Sequence, residues 1–89
     1  MIMAEYVVIS DLETVPEAAA PVRPAHLDYM AKLKKEGKMR MAGRFIDGKG
    51  GLYILLASSI EEASSLADSD PYHANRVRQY TIREWEQRF

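Results

Sequence analysis

Two histidines and no cysteine define the chemistry open to this 89-residue sequence. Without a thiol there is no thiolate nucleophile, no cysteine metal site and no disulfide. Imidazole is then the side chain suited to moving a proton near neutral pH, and it is present as His26 and His73. His73 closes the run Asp70-Pro71-Tyr72-His73. If Asp70 accepts a hydrogen bond from His26, it fixes the imidazole tautomer and favours the protonated form. The pair then serves as a general acid or base. A plainer account stands beside this one: a histidine at a helix border satisfied by a carboxylate, with Asp70 ending a helix. Arg23 lies three residues before His26, so on a helix both point the same way. Its guanidinium suits an anionic substrate group or is a solvated charge at a helix start. Tyr72, with Tyr29, Tyr53 and Tyr80, lines a pocket or simply half-fills a sheet. Ser10 and Asp11 end the first strand and border the same cleft.

Several other constellations lead nowhere. Ser58-x-x-Glu61 is a capping box that opens a helix. A nucleophilic serine needs a base at hydrogen-bond distance, and no spacing supplies one. Two histidines with scattered carboxylates do not fix three ligands, so no metal is expected. Gly48-Lys49-Gly50-Gly51 has no helix after it and reads as a hairpin turn rather than a phosphate loop.

The elements that must position these residues follow from local pattern. Tyr6-Val7-Val8-Ile9 is a short strand. Three prolines between positions 16 and 24 make 14–24 a loop into a helix. That helix runs from about Pro24 to Glu36, with Leu27, Met30 and Ala31 on one face, His26 at its border and Gly37 as its stop. Lys38–Ile46 and Leu52–Ala57 form a hairpin; Ser58 opens a second helix, which Asp70-Pro71 ends; Val77–Trp85 is the last strand. The order β-α-β-β-α-β predicts an α+β, ferredoxin-like sandwich, with a four-stranded antiparallel sheet and both helices on one face. The region after the second helix leads into a last strand paired with the first, which brings Asp70 toward the start of the first helix. Leu52–Leu56 and Tyr6–Ile9 are apolar on both strand faces, and helices cover only one. The uncovered face predicts a symmetric homodimer.

Composition narrows the class further. One small domain is expected, with a thin core, since so short a chain buries about 60–68% of its unfolded surface. Twelve basic and thirteen acidic residues give a net charge of −1, which argues against affinity built on nucleic-acid phosphates. Lys32–Arg44 carries six basic residues and one acid, read as a solvated helix end and a charged edge strand. The RNA-recognition fold shares this element order, but the third strand is aliphatic with one tyrosine and lacks its stacking aromatics. Hydrophobic content of 47% excludes disorder. Met1–Ile9 carries Glu5 and no basic residue, so neither a signal peptide nor a membrane span is expected, and the cytoplasm is the default compartment.

Arg23-x-x-His26-Leu27-x-Tyr29-Met30, Leu33, Gly37, Ala42-Gly43, Gly51, Ser58 with Glu61-Glu62-Ala63, and Asp70-Pro71-Tyr72 together resemble the YciI-like (YCII-related) family, from first strand to last. The resemblance implies a ferredoxin-like dimer and an active site centred on a histidine and an aspartate, carried over here to His26 and Asp70. Arg23 and Ser58 match further recurrent positions, Tyr72 belongs to the D-P-Y element, and these three are expected to bind the substrate. Relatives include a dehydrochlorinase of chlorinated hydroxyquinols, and the fold resembles muconolactone isomerase. The sequence departs from the family at Arg44, where proline is usual, near Asn75, where glycine is usual, and at His73. The expectation is a proton-transfer enzyme acting on a small, aromatic or lactone-like molecule by elimination or isomerisation, with no organic cofactor. The alternative is a non-catalytic ligand-binding or dimeric assembly module in which the pair is structural.

Overall fold

Strand character and helix stops along this chain produce β1 (Ala4–Leu12), α1 (Pro16–Ala19), α2 (Arg23–Lys35), β2 (Met39–Arg44), β3 (Gly50–Ala57), α3 (Ile60–Asp68), α4 (Pro71–Ala74) and β4 (Arg78–Trp85). The computed structural model describes residues 3–89, so the first two positions of Met1–Ile9 lie outside the described residues. The sheet has the order β2-β3-β1-β4, and its three pairings are antiparallel. The fold is the expected ferredoxin-like α+β arrangement. No helix among the described residues is long and apolar enough to cross a membrane.

Side chains alternate across a strand, and the register assigns the two faces. Tyr6, Val8, Tyr53 and Leu55 turn toward the helices and are buried with Met30, Leu33, Ala63 and Ala67. The alanines of α3 let that helix lie close to the sheet. Tyr29 of α2 donates its hydroxyl hydrogen to the Leu66 carbonyl at 2.6 Å and ties the two helices together.

α2 begins with Pro24 in its first turn, where a missing N–H costs nothing. It ends in a Schellman motif: Gly37 takes a φ of 73°, and the Lys38 N–H reaches the Leu33 carbonyl at 2.9 Å. Its inward stripe is His26, Met30 and Leu33. Leu27, expected inward, is 57% exposed. It lies about 100° round the helix from His26 and borders an open cavity instead.

Three expectations need correction. The cap of α3 is Ser59, not Ser58: the Glu62 N–H donates to Ser59 Oγ at 3.1 Å, and the Ser58 hydroxyl donates to the Glu62 carboxylate at 3.0 Å. Both serines have a glutamate three residues on, and the register that turns Ala63 and Ala67 to the sheet decides between them. The proline-rich segment holds the one-turn α1, because proline at a first position starts a helix as readily as it breaks one. For the same reason Asp70-Pro71 opens α4, with the Tyr72 N–H donating to Asp70 Oδ1 at 2.9 Å.

β3 starts at Gly50, earlier than expected. Gly50 has a φ of 141°, and a Cβ there would strike the Ser10 carbonyl, while one on Gly51 would strike that of Gly43. The two glycines let three strands approach closely at this end of the sheet and leave open space above them.

Candidate active site

That space is a cavity of about 640 Å³ lined by residues of α2, β2, β3, α4 and β4, among them Arg23, His26, Arg44, Tyr53, Tyr72 and Arg78. His26 is one turn into α2, with Arg23 one turn before it on the same side. Asp70, the cap of α4, is fully buried. Its Oδ1 lies 2.8 Å from His26 Nδ1, and the Tyr53 hydroxyl donates to its Oδ2 at 3.1 Å. With the Tyr72 N–H, three donors converge on one carboxylate.

The electrostatics follow from this arrangement. Burial by itself would push the Asp70 carboxyl up. The hydrogen bond and charge of His26, the Tyr72 N–H and the charge of His73 outweigh it and hold the group below the ordinary carboxylate value. Burial and the neighbouring Asp70 push the Tyr53 phenol far up, so it remains a donor. An ionised Asp70 places the imidazole hydrogen on Nδ1. His26 Nε2 makes no hydrogen bond among the described residues and is open to solvent. The imidazole stacks on Tyr72, with ring centres 4.1 Å apart and planes 27° apart, which fixes its tilt.

His73 lies behind this layer. Its Nδ1 donates to the Ala67 carbonyl at 2.6 Å, and the Ser10 hydroxyl, 2.7 Å away, donates to Nε2. His73 Nδ1 is also 3.9 Å from Asp70 Oδ2, so it backs the carboxylate without lining the cavity. Among the described residues no three His, Cys, Asp or Glu side chains gather as metal ligands.

The structure thus brings His26, Asp70, Arg23 and Tyr72 together and leaves Ser58 out. Ser58 is exposed at the far end of β3, beside Ala57 and roughly 20 Å from Gly51 at strand rise. Sequence reasoning passed over Arg78. Its signal was its position: Arg78, Tyr80 and Ile82 alternate on the helix-facing side of β4, where an arginine is out of place unless it has work to do.

A family model described as the YCII-related domain matches residues 3–86. The chain belongs to the YCII-related family. Within it, the chain is 36% identical over 61 residues to the uncharacterized protein YjpA of Bacillus subtilis (strain 168), covering 68% of this chain and 72% of that one. Among solved structures it resembles 5-chloro-2-hydroxyhydroquinone dehydrochlorinase (TftG) of Burkholderia phenoliruptrix AC1100, in complex with 2,5-dihydroxybenzoquinone. The TM-score is 0.79 at 19% identity, over 92% of this chain and 93% of that one. At that identity the likeness speaks for the fold. The His26–Asp70 contact is described by this YCII-related chain's own geometry.

Proposed function

We propose that this YCII-related protein is a small-molecule enzyme in which His26 transfers a proton and Asp70 orients it. The observation that carries this reading is a histidine whose Nδ1 is held 2.8 Å from a buried carboxylate while Nε2 is free beside a cavity of about 640 Å³. Nε2 takes a proton from a carbon acidified by a neighbouring carbonyl or ring. Elimination then expels a leaving group; isomerisation returns the proton elsewhere. Asp70 balances the charge of the imidazolium formed. Membership of a family with a dehydrochlorinase as a structural neighbour supports elimination as the first reaction to try. Arg44 on the cavity wall argues for a substrate different from that relative's.

One observation favours a second reading. Asp70 also caps α4, so the pair has a structural use without catalysis. His26→Ala separates the two, with chloride release from chlorinated hydroxyhydroquinones and lactone isomerisation as the assays. The catalytic reading expects turnover lost with unchanged or slightly raised melting. No turnover by the wild type, with the variant destabilised by about 1–3 kcal/mol through an unpaired buried group, would establish the structural reading.

A further inference from the structure

Among the described residues Arg78 has no hydrogen-bond acceptor. It crosses from β4 over β1 to reach β3, where its Nη1 comes near Gly51, and its guanidinium lies over the Tyr72 ring, 4.1 Å from the ring centre. Nε is sealed from solvent and makes no hydrogen bond. The terminal nitrogens also bond to no group among the described residues, yet they remain open to solvent beside the cavity. A half-buried guanidinium held by ring stacking alone is unusual, because such donors are ordinarily satisfied. The sealed Nε is out of reach of any ligand, whereas the two terminal nitrogens are placed to meet an acceptor from outside the chain.

The surroundings state the sign of that acceptor. On the His26 side the cavity lining contains Arg23, Arg44 and Arg78 and no carboxylate; a second cavity on the other side of Arg78 is bordered by Glu13 and Asp68, neither within ion-pair distance of it. Among the described residues none of the three lies within ion-pair distance of an acid. Asp70, the nearest buried charge, is already occupied by His26, Tyr53 and Tyr72. This concentration of cations stands in a chain whose net charge is −1, so it is local.

We propose that Arg78 is a binding residue that anchors a carboxylate of the ligand, with the rest of a flat molecule lying along the Tyr72–His26 stack. The carboxylate accepts from the two terminal nitrogens in the forked geometry that guanidinium favours. Arg23 and Arg44, whose side chains are exposed, supply attraction at the rim. The site therefore selects small planar acids over their neutral counterparts. This inference rests on the cavity being the ligand site of the proton-transfer reading.

The test is a titration of the full chain with sodium benzoate and with benzamide, its neutral near-isostere, at constant ionic strength. Binding is read from the amide NMR signals of Gly43, Gly51 and Tyr53. Benzoate is expected to bind about tenfold or more tighter than benzamide. Arg78→Gln removes that preference while the spectrum stays dispersed, and Arg78→Met, which keeps the stem packing, serves if the first variant does not fold. Arg23→Gln weakens benzoate less than about fivefold, as expected for an exposed charge. Equal affinity for the two probes, a preference that survives at Arg78→Met, or equal losses at Arg23 and Arg78 would overturn the anchor and leave proton transfer by His26 standing. No shift with either probe would overturn the cavity as ligand site, and the proton-transfer reading with it.

Discussion

Asp70 does two jobs with one carboxyl group. It caps α4 through the Tyr72 N–H and orients His26 through Nδ1. Because the folded state holds its carboxyl below the ordinary value, ionised Asp70 stabilises the fold. That contribution is fully present above the unfolded value of about 3.9 and is lost as pH falls through the lower folded value. Acid titration of wild type and Asp70→Asn, followed by circular dichroism, should show a wild-type stability loss setting in below about pH 4 that is blunted in the variant. At neutral pH the variant should be less stable by about 1.5–3 kcal/mol, the range for hydrogen bonds to a charged group. Half-buried Tyr80 marks a contrast: burial and its bond to Asp68 push its phenol up to about 12, a shift outside the range in which the site works.

α3 and α4 are started by side-chain caps, and α3 shows how finely. Ser59→Ala should cost about 1 kcal/mol in denaturant unfolding, whereas Ser58→Ala, whose hydroxyl meets Glu62 on the exposed surface, should stay within about 0.5 kcal/mol. Two overlapping serine–glutamate pairs looked alike in the sequence, and only the packing of Ala63 and Ala67 on the sheet separates them. The strand order and the stop at Gly37 were legible because alternation and a left-handed cap are local signals. Asp70 and His26 were legible as partners because β4 returns beside β1. Arg78 was not, since its meaning depends on what a long side chain finds across the sheet: an aromatic ring, a glycine and no ion-pair partner. Leu27 was misread because an amphipathic stripe shows which face is apolar but does not reveal that part of that face overlooks a cavity.

Across the whole molecule the helix-free face of the sheet carries Val7, Ile9, Leu52, Ile54 and Leu56 by the register of β1 on β3. Arg40 and Trp85 both bond to Glu5 near one margin of that face. Val7, Ile9, Leu52 and Leu56 are only half-buried there, around a buried Ile54, and we propose a second copy packed face to face about a twofold axis. Sedimentation at micromolar concentration should give a mass of two chains, and Ile9→Lys should reduce it to one with the fold retained. A single-chain mass for the wild type would refute the pairing. The bulge between Met39 and Met41 in the outer strand β2 bears on what such a surface can do next. It interrupts the ladder at the border where another ribbon would dock, and Lys38, Arg40 and Arg44 add like charge along it. Growth past that border is thereby hindered, so crowding this protein should favour closed pairs over ribbons extended from β2.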